Sequence, residues 1–239
     1  MDLIVFVPCC VDQFTPKTAS NLIKLLEKLG HNVKYPSNQT CCGRLLYDNG
    51  NWNEAKELGY KFIEDFRGSE YIITCSTSCT GYIKNNFNKL FSDSMHSVDS
   101  KSIGKRIMDI SEFLVEVEHK LDLGAEFPYK VSLHSNCRGL NEYNVEAETR
   151  LLLNNVKGLE LTESNTNNFC CGFGGTFSLY NEPVSTALAQ KKISAIMNEG
   201  AQYIVSNDQT CLLHLQSYID KHKIDLKTIY LVDLLMYNN

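Results

Sequence analysis

One arrangement of cysteines occurs twice along the 239 residues of this chain. In each copy a single cysteine comes first, an adjacent pair followed by glycine comes next, and another single cysteine completes the set. The two sets are Cys9, Cys41, Cys42, Cys79 and Cys137, Cys170, Cys171, Cys211. The first gap is 32 positions in one copy and 33 in the other, and the last gap is 37 and 40. Such regular spacing predicts an internal repeat of about 128 residues.

The segments around these cysteines alternate between short apolar runs and longer amphipathic stretches. We predict strands at 3–8, 32–36, 71–74, 130–133, 159–162 and 203–205, with helices between them. This alternation is typical of α/β units with mostly parallel sheets and right-handed crossovers. The fold class expected is therefore two similar Rossmann-like α/β halves related by duplication. Phe127-Pro128-Tyr129 suggests the boundary, so the predicted domains are 1–125 and 126–239.

Four further segments complete the predicted secondary structure. Residues 92–102 contain five serines and no apolar period, which indicates a surface loop. Helices are predicted over 109–120 and 142–154, and a short strand followed by a last helix over 228–237.

Four of the eight repeated cysteines lie at or just after the end of a predicted strand: Cys9, Cys79, Cys137 and Cys211. Ligands of parallel α/β sheets bind beyond the carboxyl ends of the strands. Each half is therefore expected to gather its four thiols at one edge of its sheet. The second pair begins the glycine-rich loop of residues 168–176, whose backbone amides can approach a bound group closely because glycine has no Cβ.

Composition limits the classes of function. Ten cysteines make up about 4% of the chain, fewer than the roughly 8–10% of small disulfide scaffolds. A formal net charge of −5 gives no general attraction for nucleic acid. No apolar run approaches the roughly 18 residues of a membrane span, and Met1-Asp2 lacks the basic residues of a signal peptide. We expect a cytoplasmic protein without nucleic-acid binding or membrane insertion.

Three kinds of thiol chemistry fit the pattern. Zinc held by four cysteines usually uses two short C-x2–4-C turns, whereas adjacent cysteines point their side chains apart. An iron–sulfur cluster relaxes that constraint, because neighbouring thiolates can bind different iron atoms. Thiol redox exchange at helix N-termini is the third possibility, with Cys79 and Cys211 as candidates. The pattern favours one or two iron–sulfur clusters, with [4Fe–4S] as the expected type and zinc as the alternative.

The motifs resemble the duplicated cysteine-rich (CCG) domain family over essentially the whole chain. The resemblance is carried by residues 7–14, Cys41-Cys42-Gly43, residues 170–178 and Cys211-Leu212-Leu213, and within the family it points to the lactate-utilization branch. This family is related to the cysteine-rich subunits of heterodisulfide reductase and of glycolate and glycerol-3-phosphate oxidoreductases.

The resemblance implies an iron–sulfur electron-transfer subunit of a complex that oxidises L-lactate to pyruvate. The implied partners are an iron–sulfur ferredoxin-like subunit and a third component, and the implied metal and cofactor ligands are the eight repeated cysteines. No flavin or nicotinamide motif is present, so no catalytic residue is assigned. A zinc-binding or thiol-redox scaffold subunit of an oxidoreductase complex is the alternative function.

The sequence departs from the wider family where the last cysteine of each set belongs to a C-x-x-C motif. Ser76 and Asp208 occupy the upstream positions, and Asp208 is expected to cap a helix. Cys10 and Cys75 are outside the two sets and are either core thiols or substitute ligands.

Three other residues near the cysteine motifs are candidates for a role. His134 could contact substrate or relay a proton, or be a structural histidine. Arg44 and Arg138 follow cysteine motifs and could offset the charge of a thiolate-bound cluster, or be ordinary surface arginines.

Overall fold

The computed structural model describes residues 1–162 and 169–238; the predicted loop of residues 168–176 therefore begins, at Asn168, outside the described residues. Backbone contacts group the chain into two compact units, Met1–Phe113 and Leu114–Asn239. The domain limits at residues 125 and 126 refer to the repeated sequence and stay a prediction. Among the described helices, none combines the length and apolar character that a membrane span requires.

The first unit is built on a parallel sheet of order β2-β1-β3-β4. The strands are β1 Asp2–Phe6, β2 Asn32–Lys34, β3 Tyr71–Thr74 and β4 Ile107–Asp109. The helices are α1 Cys9–Phe14, α2 Pro16–Lys28, α3 Arg44–Asp48, α4 Trp52–Asp65, α5 Thr77–Leu90, α6 Ser97–Arg106 and α7 Ile110–Glu112, and a π-helical turn follows at Phe113–Val117. The central strands β1 and β3 are apolar because both of their faces are buried.

The second unit repeats this topology with a parallel sheet of order β6-β5-β7-β8. The strands are β5 Lys130–Leu133, β6 Glu160–Thr162, β7 Tyr203–Ser206 and β8 Lys227–Tyr230. The helices are α8 Cys137–Glu142, α9 Glu146–Asn154, α10 Phe177–Tyr180, α11 Glu182–Asn198, α12 Gln209–His222 and α13 Leu231–Leu235. Two four-stranded parallel sheets of equivalent order confirm the predicted pair of similar α/β halves.

The prediction of a surface loop over 92–102 was wrong at its C-terminal end, where helix α6 begins at Ser97. Helix α6 packs on α5 through Ile103, which is 1% exposed, while the hydroxyl of Ser100 donates to the carbonyl of Ser97. The serines obscured a helix whose position is fixed by tertiary packing rather than by its own apolar pattern.

The helix predicted over 109–120 was wrong at both ends, because Asp109 belongs to a strand and the helical residues end at Val117. Ile107–Asp109 form the edge strand β4, which pairs with Ile72–Thr74 of β3, before α7 begins. The helix predicted over 142–154 is α9, which begins only at Glu146, while Glu142 is the last residue of α8. The pairing of β4 with β3 depends on distant contacts that local periodicity does not report.

Candidate metal centre

The first unit brings its four predicted cysteines together beyond the carboxyl ends of β1 and β3. Cys9 begins α1 directly after β1, and Cys79 lies in the first turn of α5. The Sγ atoms of Cys42 and Cys79 are 3.6 Å apart. Cys41 accepts hydrogen bonds from the thiols of Cys9 and Cys42, which makes the four sulfurs one continuous cluster.

The second unit places its four predicted cysteines in the same way. Cys137 begins α8 after β5, and Cys211 lies in the first turn of α12 after β7. The Sγ atoms of Cys137 and Cys170 are 3.9 Å apart, and Cys170 also accepts from Cys171. Cys171 in turn contacts Cys211.

Backbone amides point at the paired cysteines in both units. Gly43 donates to the Sγ of Cys41 at 3.5 Å, and Gly172 donates to the Sγ of Cys170 at 3.4 Å. In the second unit the amide of Phe173 adds a bond of 3.5 Å to the Sγ of Cys171. Amide donors stabilise thiolate charge, so the glycine turns favour deprotonated sulfur.

The thiols differ in acidity along each cluster. Thiol donors from Cys42 and Cys9 lower the pKa of Cys41, and donors from Cys137 and Cys171 lower the pKa of Cys170. The donors themselves have raised pKa values, since each donates an S–H hydrogen bond to a neighbouring sulfur and is desolvated by burial. The first cysteine of each pair is therefore the site at which a thiolate forms most readily.

Gly172 has a backbone conformation and surroundings that other residues tolerate poorly. Its φ is +100°, and a Cβ at this position would overlap the carbonyl oxygen of Ser185. The hydroxyl of Ser185 donates to the carbonyl of Gly172 at 2.8 Å, which joins the cysteine turn to α11. The turn therefore approaches α11 closely only because residue 172 lacks a side chain.

Replacing Gly172 with alanine should destabilise the protein more than replacing Gly200, which has φ +73° and open space around its Cβ position. Both changes carry about 1 kcal/mol of left-handed backbone strain, and Gly172→Ala adds roughly 1–3 kcal/mol of overpacking. Urea unfolding of the metal-free variants measures the difference. Equal losses of unfolding free energy would show that the turn can move away from Ser185.

Ser76 and Asp208 cap the helices that carry the last cysteine of each set. Ser76 accepts from the amide of Cys79 at 3.4 Å, and Asp208 accepts from the amide of Thr210 at 3.2 Å. Both side chains are buried. The expected capping role of Asp208 is confirmed by this contact.

Cys10 and Cys75 take different positions near the first cluster. The thiol of Cys10 hydrogen-bonds with Cys9, whereas Cys75 is fully buried just after β3. No disulfide joins any of the ten cysteines, all of which lie in the described ranges. Arg44 lowers the pKa of Cys41 through its charge, while Arg138 forms an ion pair of 3.2 Å with Glu142.

Two polar residues of the second unit lie where the first unit has aromatic ones. His134 is the equivalent of Phe6. In the two sheets Val131 pairs with Tyr203 and Leu3 pairs with Tyr71, and His134 and Phe6 each lie three residues further along their chain segment. His134 is fully buried, and neither ring nitrogen has a hydrogen-bond partner among the described residues. Burial and the charge of Lys192 hold the pKa of His134 well below its usual value.

Lys192 is the second of these residues, and the sequence reasoning missed it. Lys192 is the equivalent of Phe62. The carbonyls of Ser185 and Ala55 face the glycines of the two cysteine turns, and Lys192 and Phe62 each follow those residues by seven positions. The lysine is 1% exposed, and its ammonium group donates to the carbonyl of Phe169 at 3.0 Å. Burial lowers its pKa to about 8, while the four cysteines of the second unit act in the opposite direction.

A signal for Lys192 exists in the sequence. Ala189 and Ile196, three positions before it and four after it, lie on the buried face of α11 and are themselves buried. A lysine in register with that face is expected to be buried, and a buried lysine needs a partner. In the structure that partner is the carbonyl of Phe169.

The thiol clusters fit a metal or an iron–sulfur group in each unit. Soft thiols follow one another in close contact, amides donate to sulfur, and an ammonium group in the second unit balances negative charge. His134, Cys171 and Cys211 place their ligand atoms within 4.8 Å of one another. The second cluster therefore offers a nitrogen donor in addition to sulfur.

The sequence profile of the cysteine-rich CCG domain matches this chain twice, at residues 3–84 and 131–216. The chain belongs to the cysteine-rich CCG family. Both matched segments contain a complete set of four cysteines, so the predicted family resemblance is confirmed.

Named relatives cover nearly the whole chain. Lactate utilization protein A 1 of Bacillus mycoides (strain KBAB4) is 35% identical over 233 residues, which are 96% of this chain and 95% of that protein. Lactate utilization protein A of Bacillus cereus (strain B4264) is 31% identical over 235 residues, 98% of each chain. The predicted assignment to the lactate-utilization branch of the CCG family is confirmed at this level.

A solved structure shares the fold. The crystal structure of a hypothetical protein from Helicobacter pylori aligns with a TM-score of 0.61 at 11% identity over 98% of this CCG chain. The chain spans about half the length of that protein, at 48%. The likeness supports the arrangement of strands and helices alone.

Proposed function

We propose that this CCG protein is an iron–sulfur electron-transfer subunit of a multi-subunit complex that oxidises L-lactate to pyruvate. The observation that carries the proposal is the convergence of four thiols on a glycine turn in each of two units, in a chain similar over its length to lactate utilization proteins A. The proposed ligands are Cys9, Cys41, Cys42, Cys79 and Cys137, Cys170, Cys171, Cys211.

Each set would hold one cluster, with [4Fe–4S] as the proposed type. An iron–sulfur cluster supplies one-electron transfer when it is bound. The chain's own contribution is to hold the thiolates in place, to direct the amides of Gly43, Gly172 and Phe173 at sulfur, and to place buried positive charge beside the second set. Oxidation of the hydroxy acid is assigned to the complex, with a ferredoxin-like subunit and a third component as proposed partners.

Zinc is the second candidate, because one geometric observation favours it. Zinc–sulfur bonds of about 2.3 Å give sulfur–sulfur edges of roughly 3.8 Å in a tetrahedron, close to the 3.6 and 3.9 Å found here. The adjacent cysteines of each pair favour iron, since neighbouring thiolates can bind different iron atoms of one cluster.

Metal analysis of the anaerobically purified and reconstituted protein tests the proposal. We expect iron and acid-labile sulfide in similar amounts, together with an electron paramagnetic resonance signal after reduction. Zinc without sulfide would replace the iron–sulfur proposal by the zinc alternative. Growth on L-lactate of a strain that carries Cys171→Ala in place of the native gene tests the physiological role, and undiminished growth would contradict it.

A further inference from the structure

His134 is a buried imidazole at the end of β5, immediately after Leu133. Its backbone amide donates to the carbonyl of Val205 at 2.8 Å, which fixes the residue between the two central strands. Neither ring nitrogen has a hydrogen-bond partner among the described residues. A buried polar group without a partner costs about 1–3 kcal/mol. Protein hydrogen bonds among the described residues therefore do not offset the cost of burying the His134 ring, which argues against a purely structural role for this residue.

The ring lies at the thiol cluster of the second unit. A ring nitrogen of His134 and the Sγ atoms of Cys171 and Cys211 all lie within 4.8 Å of one another. Imidazole nitrogen and thiolate sulfur bind the same soft and borderline metal ions, including iron. A metal atom bound by the two cysteines is therefore within reach of the histidine.

Among the described residues of the first unit, the strand position equivalent to His134 has no nitrogen-bearing side chain. Phe6 lies there and packs edge-on against Phe62, with ring centroids 4.9 Å apart. The equivalent pair in the second unit is His134 and Lys192. The position of Phe6 is thus apolar in the first unit, whereas its equivalent in the second unit carries an imidazole nitrogen beside two thiols.

We propose that His134 supplies a ring nitrogen to the metal centre of the second unit, beside Cys171 and Cys211, so that the two units hold centres with different ligand sets. The inference rests on the proposed iron–sulfur function and names a ligand that the cysteine pattern does not include. A neutral nitrogen ligand raises the reduction potential of an iron–sulfur centre relative to thiolate ligands alone. The second centre is therefore the better electron acceptor of the two.

Electron spin echo spectroscopy of the reduced, reconstituted full-length chain tests the ligand directly. A nitrogen bound to iron gives a strong hyperfine coupling, and growth with 15N-histidine changes that coupling in the way expected of a histidine ligand. This labelling arm needs no substitution. It therefore decides the proposal even when a variant fails to fold.

Two variants identify which histidine is responsible. His134→Phe introduces the residue that the first unit has at this position and should abolish the coupling and lower the potential of the second centre. His214→Asn is the control, because His214 lies by the same cysteine turn and contacts Ser185 at 3.3 Å. It should leave the coupling in place.

Iron and sulfide assays on the same samples distinguish a failure of the ligand assignment from a failure of the proposed iron–sulfur function. Iron and sulfide bound without a histidine coupling would overturn the ligand assignment and leave the iron–sulfur function standing. A coupling that persists in His134→Phe would also overturn it. A preparation that binds neither iron nor sulfide would overturn both proposals.

Discussion

Replacing Cys171 with alanine should remove the iron and acid-labile sulfide of the second unit, while Cys75→Ala should leave the metal content unchanged. Both cysteines are buried, at 2% and 0% exposure, so the two changes remove the same atom from similarly packed sites. Cys171 hydrogen-bonds with two other cysteines of its cluster, Cys170 and Cys211, whereas Cys75 belongs to neither set. Loss of a central ligand is expected to release the whole group.

If each unit binds one cluster, total iron should fall by roughly half in Cys171→Ala, since four thiolates commonly hold one cluster. Cys42→Ala should produce the same loss from the first unit, because the two residues are equivalent in the repeat. Metal and sulfide analysis after anaerobic reconstitution measures these changes. Full iron content in Cys171→Ala, or an equal loss in Cys75→Ala, would contradict the proposed ligand sets.

The second large effect concerns Lys192, whose charge is buried beside the second cluster. Lys192→Met should lower the reduction potential of that centre, because a positive charge stabilises the reduced and more negative state. A unit charge several ångströms away is worth roughly 2 kcal/mol at an effective dielectric constant of about 20. This corresponds to a change on the order of 100 mV for one electron.

Lys191→Met provides the matched control. Lys191 is the neighbouring residue on α11, but it is exposed and its ammonium group lies over the ring of Phe169 at 4.4 Å. The same substitution at this position should change the potential little, since water screens an exposed charge. Equal shifts in the two variants would show that the burial of Lys192 has no special effect.

The pH dependence follows from the lowered pKa of Lys192, which is about 8. Below that pKa the side chain is charged and supports reduction; as the pH rises through it, the charge and its contribution are lost. The wild-type potential should therefore fall as the pH is raised above about 8, and Lys192→Met should lack this step. Redox titrations at several pH values measure both. A step that survives in Lys192→Met would assign the titration to another group.

The main architecture was accessible from the sequence because its signals are local. The strands β1, β3, β5 and β7 are short, mainly apolar runs in which every residue after the first is buried. They are followed within a few residues by Cys9, Cys79, Cys137 and Cys211 at nearly constant spacing. Parallel strands end at one edge of a sheet, so the convergence of the thiols followed from the strand assignment alone.

Elements with weak local patterns were not accessible in this way. Helix α6 has only Ile103 and Ser100 buried, and its serines look like loop residues. Strand β4 is three residues long and exists because Ile107–Asp109 pair with β3. Their structure is decided by distant partners, and a local window contains no information about those partners.

The sequence by itself determined two α/β halves, from the alternation of apolar and amphipathic segments, and four thiols in each half with an expected metal or iron–sulfur site, from the cysteine repeat. Only the tertiary structure decided how the surroundings of the two clusters differ, because β5 brings His134 and α11 brings Lys192 to the second cluster, where the first unit has Phe6 and Phe62. His134 and Lys192 are 58 positions apart in the sequence, and their proposed roles depend on the cysteines that they lie beside in the fold. Sequence spacing fixes which residues share a strand or helix face, whereas folding decides which faces meet.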